Sequence, residues 1–374
     1  MNPRRLAYVL NIFPKLSETF IAGELAELSS RGVELRIFSL LPPRDEPQHD
    51  VIRRAGLDQL TSYDVASFAD EVKKFRPDLL HAHFAKEATE KARELSADCG
   101  APFTFTAHGY DIHRKPPPDF YERATAASAV VTVSEANAAY IHQTFQVPRA
   151  HLHVIPCGVD TEQFCPAEKA RPAGLEAGDT AGLETCAASP LIVCVARQVA
   201  VKNLGLLLEA CGLLRSRGLD FRCVMVGDGP LHGELKTKRA KLGLEEIVEM
   251  PGAAEQREVV KWWQRAAVGV LTSENEGMPV SLMEAAACGV PVVAPAVGGI
   301  PELVRDEETG LLTTPADLRS FVGAVERLLR DEPLRLRLGA AARRRAEREF
   351  SVVRQVDSLL ALWSQVLSGS RVWA

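Results

Sequence analysis

The chain has 374 residues, which is enough for two domains that each bury their own core. Its 44 basic and 49 acidic residues give a net charge of −5, without the basic tail that marks nucleic-acid binding, so we expect no nucleic-acid partner. Eight scattered cysteines without a C-x-x-C pair predict reduced thiols in a cytoplasmic protein. No apolar stretch approaches the roughly 20 residues of a transmembrane helix.

The first half of the chain alternates short apolar runs with amphipathic segments of helical length. The runs, in chain order, are LAYVL, VELRIFSL, DLLHAHF, PFTFTAH, AVVTVS and HLHVIP. The first is preceded by a basic start, and we expect it to be a buried strand and not a signal peptide. Between the first two runs, the 3.6-residue spacing of SETFIAGELAELSSRG predicts a helix with Ser17 as its N-cap and Gly32 as its stop. Strands separated by helices require crossover connections and therefore predict a parallel sheet.

Two of these runs carry histidine pairs, His81 with His83 and His151 with His153. Alternate residues of a strand share one face, so each pair suggests two metal ligands. No third ligand lies nearby in the sequence, however, and histidines at strand ends are often simply hydrogen-bonded. We therefore predict no metal site and no cofactor.

A break in the pattern separates the two halves. Residues 166–190 are rich in Ala, Gly, Pro and Glu and lack a strand period, which predicts a surface linker or insertion. The alternation then resumes with LIVCVA, NLGLLLEACGLLRSRG, FRCVMVGDG, a helix over 231–242, IVEM, EVVKWWQRA, VGVLTS, a helix after Pro279 and PVVAP.

The expected fold is α/β, with two Rossmann-like, doubly wound domains that face each other across a cleft. The first domain covers 1–160 and is completed by a C-terminal helix at 352–374. A linker at 161–190 leads to the second domain at 191–351. Ligand sites of open parallel sheets lie at the carboxyl ends of the strands, so we expect the chemistry there.

The segment LRLRLGAAARRRAER, residues 334–348, is a local basic patch. It predicts the solvated face of a helix. Attraction to an anionic membrane surface is the alternative interpretation, and it would make the protein peripheral to the membrane.

The segment SENEGMPVSLMEAAACGVPVV holds two acids eight positions apart. Glu276 precedes a predicted helix, in which Pro279 suits the first turn, and Glu284 lies inside it. An ionised carboxylate accepts hydrogen bonds from neighbouring sugar hydroxyls, so two acids at this separation suit a ligand with a polyol at each end. The alternative is that Glu276 only favours the helix end electrostatically and that Glu284 is an ordinary helix residue.

Two kinds of positive group, backbone N–H donors and cationic side chains, are predicted to lie in space between the two acids. The backbone N–H groups of Val280, Ser281 and Leu282 would lie unpaired at a helix end that binds phosphate. Arg197 and Lys202, in ARQVAVKN, follow the first strand of this half and would reach the same edge. A diphosphate flanked by polyols is a nucleotide sugar, although both cations have a simple alternative as solvated side chains.

The residues carry a family resemblance. ENEGMPVSLMEAAACGVPVVAPAVGGIPELVRDEETGLL, with VARQVAVKN, VGDGP and IPCGVDTEQF, resembles the retaining glycosyltransferases of family 4, which have the GT-B fold. The match covers most of 154–313. In the first half, FPKLSETFIAGELAELSSRGVELRIFSL, HAHFA and TAHGYDIH are similar to the colanic-acid and amylovoran type transferases that build bacterial exopolysaccharides.

The resemblance implies a role for each matching residue. Arg197 and Lys202 would bind the donor diphosphate and stabilise the leaving nucleotide. Glu276 would hold hydroxyls of the transferred sugar, and Glu284 the nucleotide ribose. His108 would sit over the donor sugar near the reacting carbon. Asp111 would orient His108 or the acceptor. Gly298 is expected to allow close backbone approach to the ligand. The donor-binding residues are Gly227, Gly277, Met278, Pro279, Val280, Ser281, Leu282 and Gly298.

One feature departs from the family pattern. Family members often carry a paired-glycine loop after the first strand, and this chain has NIFPKLSET there. The backbone contact to phosphate that such a loop makes is therefore not expected in the same form. Ser17, Glu18 and Thr19 contact the acceptor or the donor instead, or Ser17 only caps the helix.

The resemblance also implies a mechanism and its partners. Retention is ascribed to front-side attack, in which the departing phosphate oxygen takes the acceptor proton, and the absence of a site-like Asp-x-Asp motif predicts independence of metal ions. The expected partners are a nucleotide sugar, such as a UDP-sugar, and a saccharide or lipid-linked acceptor. The alternatives are a nucleotide-sugar epimerase and a non-catalytic sugar-nucleotide-binding protein. A dehydrogenase is disfavoured because VGDGP is a lone G-x-G.

Overall fold

A computed structural model describes residues 2–43, 49–167 and 189–369 of the chain. The described chain forms two compact units. Unit 1 runs to Gly158 and takes in the chain again from Phe350, whereas unit 2 is Val159–Glu349. Most of the linker predicted at 161–190 lies outside the described residues.

Unit 1 is built on a parallel sheet. Its strands are β1 Arg5–Ile12, β2 Glu34–Leu41, β3 Thr61–Ser62, β4 Leu79–His83, β5 Phe103–Ala107, β6 Ala129–Thr132 and β7 Leu152–Val154. Their order in the sheet is β3-β2-β1-β4-β5-β6-β7. Its helices before the linker are α1 Thr19–Ser30, α2 Asp50–Arg54, α3 Phe68–Phe75, α4 Glu87–Cys99, α5 Phe120–Ala126 and α6 Glu135–Phe145.

Unit 2 repeats this architecture with six parallel strands. They are β8 Leu191–Val195, β9 Arg222–Val226, β10 Val248–Gly252, β11 Val268–Val270, β12 Val292–Pro295 and β13 Gly310–Thr313, in the order β10-β9-β8-β11-β12-β13. Its helices are α7 Leu204–Ser216, α8 His232–Lys241, α9 Gln256–Arg265, α10 Val280–Ala287, α11 Ile300–Leu303, α12 Leu318–Arg330 and α13 Glu332–Glu349. The final helix, α14 Val352–Leu367, returns to unit 1.

Both faces of the first sheet are covered, as the parallel topology requires. In β1, Ala7 and Val9 pack into a core with α3 to α6, while Tyr8 points to the other face and packs with α1, α2 and α14. Trp363 of α14 is fully buried in that second core. The C-terminal helix therefore supplies part of one layer of unit 1.

The two parallel sheets confirm the predicted α/β class, with local corrections. Strands β3 and β13 were not predicted, because a two-residue strand shows no periodicity and GLLT lies among turn residues. The predicted N-cap is wrong: Ser17 is exposed in a turn, and α1 starts at Thr19 with Glu18 in the capping position. His151 belongs to a 3-10 turn that ends before β7, so only the HAH pair lies on one strand.

The basic segment at 334–348 is not uniformly solvated. Arg343 is 9% exposed, and its guanidinium donates to the carbonyls of Phe164 at 2.7 Å, Thr161 at 3.0 Å and Ala287. These bonds join α13, the C-terminal end of α10 and the start of unit 2. The predicted solvated face is therefore wrong at Arg343, because the fold supplies three carbonyls that need a donor.

Two further predictions concern the cysteines and membrane-spanning helices. The seven cysteines in the described part of the chain are free thiols, while Cys186 lies outside it. Within that same part, no helix combines the length and the apolar character that crossing a membrane requires.

The strand order places one crevice in each unit. In unit 1, β1 lies between β2 and β4, so the connections after β1 and β4 run to opposite sides of the sheet. In unit 2, β8 lies between β9 and β11 in the same way. Ligands of doubly wound sheets bind outside the carboxyl ends of the strands at such switch points. The loops after β1 and β4, and those after β8 and β11, therefore lie at the edges where ligands bind in such sheets.

Candidate functional site

An ion pair occupies the switch point of unit 2. Nζ of Lys202, after β8, contacts Oε1 of Glu276, after β11. The two loops are tied together, because Glu274 N donates to Val201 O at 2.8 Å and Thr272 Oγ1 donates to Lys202 O at 2.9 Å. The fold thus brings together two site residues that the sequence predicts and that lie 74 positions apart.

The carboxylate of Glu276 is oriented but not saturated. Oε1 accepts the Lys202 ammonium and also the hydroxyl of Ser273 at 2.6 Å, a contact that the sequence analysis missed. Oε2 accepts no hydrogen bond from any residue in the described ranges. The Lys202 and Glu276 side chains are 17% and 11% exposed, so the pair keeps access to solvent. One oxygen of Glu276 can therefore accept a hydroxyl from a ligand.

The site glycines make room for protein backbone. Gly298 has φ +51°, and a Cβ there would lie 1.9 Å from the carbonyl oxygen of Glu276. Gly299 N donates to that same oxygen at 3.0 Å. A Cβ on Gly227, at φ +130°, would lie 2.0 Å from Ala196 O. The close approach that Gly298 allows in this structure is to the Glu276 loop, whose path it fixes. Its approach to a ligand stays a prediction.

The N-terminus of α10 offers fewer free donors than predicted. Pro279 is the N-cap residue, and Leu282 N donates to Pro279 O at 3.1 Å, so its N–H is not free. The N–H groups of Val280 and Ser281 have no partner among the described residues. Gly277, Met278 and Pro279 are buried, whereas Val280 and Ser281 are half-buried. Two backbone donors therefore remain at a positive helix end, beside the loop that carries Glu276.

The second predicted cation, Arg197, lies in the loop after β8 and is exposed. Its guanidinium forms no ion pair or hydrogen bond with the described residues. The next residue, Gln198, is 1% exposed and was not predicted. Its Nε2 donates to Gly227 O at 2.7 Å, and its Oε1 lies 2.8 Å from Nδ1 of His232. Gln198 therefore holds the VGDGP turn against the loop that carries the cations.

Glu284 lies on α10 and is 6% exposed. Burial raises the pKa of its carboxyl to about 7, and the indole N–H of Trp263 donates to Oε2 at 3.3 Å. Desolvation disfavours the ionised form, and the indole offsets part of that cost. A ligand that donates a hydroxyl to this carboxylate would shift the balance back toward ionisation.

In unit 1, His108 follows β5 at the carboxyl edge of the sheet and is 8% exposed. Its ring packs against those of Phe20 and Phe84, with centroids 5.0 Å and 4.5 Å away, and is stacked on His83 at 5.4 Å. Burial lowers the pKa of His108 well below its usual value, and His83 lowers it further. His108 is therefore a neutral imidazole, with one nitrogen as donor and one as acceptor.

Asp111 lies behind His108 and is fully buried. Its carboxyl oxygens accept the backbone N–H of His108 at 2.8 Å and that of Ala85 at 2.7 Å. Burial raises the pKa of Asp111 to about 7, against the lowering effect of these bonds. The contacts join the ends of β4 and β5, so Asp111 is placed to orient His108.

The three remaining predicted residues precede α1. Ser17 is exposed, Glu18 forms an ion pair with Lys15, and Thr19 is the first helical residue. Phe20 comes next and packs against His108. The segment therefore lies at the same edge of unit 1 as His108.

The histidine pair on β4 has a third potential ligand that sequence proximity did not reveal. Glu24, on α1, lies with His81 and His83 so that one potential ligand atom of each is within 4.8 Å of the others. The ring nitrogens of His81, however, are hydrogen-bonded to Thr104 Oγ1 at 2.8 Å and Thr106 Oγ1 at 3.0 Å. His83 Nε2 is 3.2 Å from Oε1 of Glu24. A hydrogen-bond network accounts for all three side chains without an ion.

Comparison with known proteins covers both units. Residues 17–163 match the family described as Glycosyltransferase Family 4, and residues 186–345 match Glycosyl transferases group 1. A putative colanic acid biosynthesis glycosyltransferase of Escherichia coli K12 is 33% identical over 423 residues, covering 95% of this chain and 99% of the relative. The amylovoran biosynthesis glycosyltransferase AmsK of Erwinia amylovora is 30% identical over 302 residues, covering 76% and 70%.

Solved structures show the same fold. A glycosyltransferase from Rickettsia africae ESF-5 matches with a TM-score of 0.78 and 19% identity, covering 98% of this chain and 99% of that one. Anabaena Alr3699/HepE, solved in complex with UDP-glucose, matches with a TM-score of 0.79 and 18% identity, covering 96% and 99%.

Proposed function

Because the chain belongs to the family 4 glycosyltransferases of GT-B fold, we propose that it moves a sugar from a nucleotide-diphosphate sugar to a saccharide or lipid-linked saccharide acceptor. We further propose that the transfer retains the anomeric configuration and serves bacterial exopolysaccharide synthesis. The similarity to colanic-acid and amylovoran glycosyltransferases supports the polymer class. The observation that carries the proposal is the Lys202–Glu276 pair at the switch point of unit 2.

The donor is assigned to unit 2. Lys202, Arg197 and the free N–H groups at the start of α10 supply positive charge for the diphosphate. Oε2 of Glu276 accepts a hydroxyl of the transferred sugar, and Glu284 accepts the ribose hydroxyls. When the diphosphate binds, it competes with Glu276 for the Lys202 ammonium. Both oxygens of Glu276 then become available to the sugar, and the cation keeps an anionic partner throughout.

The reaction is proposed to need no metal ion. The bond between the anomeric carbon and the phosphate oxygen breaks while the acceptor oxygen attacks from the same face, and the departing phosphate takes the acceptor proton. Fixed donors aimed at the developing charge stabilise such a transition state without reorganisation. Lys202, Arg197 and the start of α10 fill the role that a divalent cation has in other transferases.

A donor screen tests this proposal. Purified protein with EDTA is expected to release nucleotide from one of UDP-glucose, UDP-galactose, UDP-GlcNAc, GDP-mannose or a related donor, and the same donor should raise its thermal stability. NMR of the transfer product reports the anomeric configuration, and it also separates transfer from epimerisation. Strict dependence of turnover on added Mn²⁺ would overturn the metal-free mechanism, and an inverted product would overturn retention.

The affinity for the donor should depend on pH through Glu284. Its carboxyl is protonated below its pKa of about 7 and must ionise to accept ribose hydroxyls well, so affinity should rise with pH. Because the affinity follows the ionised fraction of Glu284, the association constant for the donor should rise about 10-fold between pH 6 and pH 8. Calorimetry with an intact nucleotide sugar measures this pH dependence. The diphosphate diester of such a ligand does not titrate in this range, so the change in affinity comes from the protein. Glu284→Gln should remove the dependence, and an equally steep profile in that variant would contradict the assignment.

A further inference from the structure

A buried chain of hydrogen bonds runs from the C-terminal helix to His108. Gln355 Nε2, on α14, donates to Oε2 of Glu24 at 2.6 Å. Oε1 of Glu24 is 3.2 Å from His83 Nε2, and His83 Nδ1 is 3.1 Å from His108 Nε2. All four side chains are less than 9% exposed. The chain ends at the ring that lies at the carboxyl edge of the sheet.

The direction of the bonds follows from their fixed ends. Gly158 N donates to Oε1 of Gln355 at 2.7 Å, so the amide of Gln355 must present its NH₂ group to Glu24. The hydroxyl of Tyr8 lies 2.6 Å from Oε1 of Glu24 and is its second donor. Burial raises the pKa of Tyr8 well above its usual value, so this hydroxyl keeps its proton. Glu24 is thus surrounded by donors and acts as an acceptor.

The histidine tautomers follow from this arrangement. His83 must carry its proton on Nε2 to donate to Glu24, which leaves a lone pair on its Nδ1. The neutral His108 must then carry its proton on Nε2 to donate to His83. Nδ1 of His108 is left as an acceptor without a partner among the described residues. His108 is 8% exposed, and its Nδ1 is not fully buried.

We propose that Glu24 and His83 are positioning residues, which hold His108 as its Nε2–H tautomer so that Nδ1 accepts a hydrogen bond from a substrate hydroxyl. The inference rests on the proposed glycosyl transfer and adds a chemical restriction to it. An Nδ1 lone pair can face a sugar hydroxyl but not a phosphate oxygen, because both of those atoms are acceptors. His108 therefore recognises the saccharide part of a substrate and not the diphosphate.

Glu24→Gln provides the test, because the direction of Gln355 is fixed. The new amide can satisfy Gln355 only with its oxygen, so its NH₂ group faces both His83 and Tyr8, and the Tyr8 hydroxyl must turn to accept from it. His83 must then accept at Nε2 and donate from Nδ1, and His108 must accept at Nε2 and carry its proton on Nδ1. The variant should therefore reverse both tautomers while preserving the shape of the site.

Tautomers are measured by ¹⁵N NMR of ring-labelled histidine, with His108 assigned from a His108→Gln spectrum. Wild-type protein should show Nε2–H at His108, and Glu24→Gln should show Nδ1–H. In the transfer assay, Glu24→Gln should lower kcat/KM about 100-fold, because a donor then faces the substrate hydroxyl where an acceptor was, and it should leave the affinity for the free nucleotide close to wild type. Thr132→Val is the matched control: it removes a buried hydrogen bond of unit 1 that lies outside the network, from Thr132 Oγ1 to Ala107 O at 3.1 Å, and should leave the tautomer and kcat/KM close to wild type.

Three results would overturn the inference: an Nδ1–H tautomer in the wild type, an unchanged tautomer in Glu24→Gln, or a reversed tautomer with normal kcat/KM. The wild-type spectrum decides the first even if the variant does not fold. A wild-type protein that transfers no sugar would contradict the proposed function instead, and the tautomer measurement would still test the positioning network.

Discussion

Lys202→Ala is expected to lower kcat/KM for transfer by about 10²- to 10³-fold and to weaken nucleotide binding to a comparable degree. The substitution removes the ammonium that binds the diphosphate. It also leaves the Glu276 carboxylate, 11% exposed, without its cation and facing an incoming dianion. Loss of attraction and new repulsion act in the same direction, so the effect should appear in both binding and turnover. Calorimetry with the nucleotide and initial rates with the donor measure the two.

Lys261→Ala is the matched control, because Lys261 forms an exposed ion pair with Glu258 in the same unit. Exposed pairs contribute little, so its affinity and turnover should match the wild type. The double variant Lys202→Ala/Glu276→Ala separates the two causes. Removing the carboxylate should restore part of the nucleotide affinity that Lys202→Ala loses. Wild-type nucleotide affinity in Lys202→Ala would rule out the assigned diphosphate site.

Glu276→Ala is expected to lower kcat/KM by about 10²- to 10⁴-fold and to leave the affinity for the nucleotide alone unchanged or slightly higher. Two hydrogen bonds from sugar hydroxyls to a carboxylate contribute about 1.5–3 kcal/mol each, and they are lost. The Lys202 ammonium loses a competitor at the same time and is free for the diphosphate. Binding and turnover should therefore separate in this variant, unlike in Lys202→Ala. Rates with the intact donor and calorimetry with the nucleotide alone report the two quantities.

Glu209→Ala is the control for Glu276→Ala, because Glu209 forms an exposed pair with Lys238 and should be silent in both assays. Two outcomes would contradict the role of Glu276. Normal turnover would show that the carboxylate does not hold the sugar. An equal loss of nucleotide affinity and turnover would show that Glu276 acts by shaping its loop, which also contacts Gly298 and Gly299.

The pairing in unit 2 was within reach of sequence reasoning. Lys202 follows the first strand of its half, and Glu276 follows a later one. Carboxyl ends of parallel strands meet at one edge, so a cation and an acid after two strands are expected together. The direct contact between them was not predicted, because it depends on β8 and β11 being neighbours in the sheet.

The buried hydrogen-bond partners that lead to His108 could not be predicted from the sequence. No third ligand lies close to the histidine pair in the sequence, because Glu24 is 59 positions from His83, and Gln355 is 331 positions from Glu24. Neither residue belongs to a local motif. Only the packing of α1 and α14 on the same face of the sheet brings them together.

The sequence by itself determined the alternation of strands and helices and the two-unit α/β class. It also determined which residues follow the carboxyl ends of strands, because periodicity and turn chemistry act over a few residues. The tertiary structure alone decided which of those residues touch. Strand order joined Lys202 to Glu276, and the packing of α14 supplied Gln355 to Glu24. Such contacts depend on strand order and helix packing over the whole chain, and these leave no local pattern in the sequence.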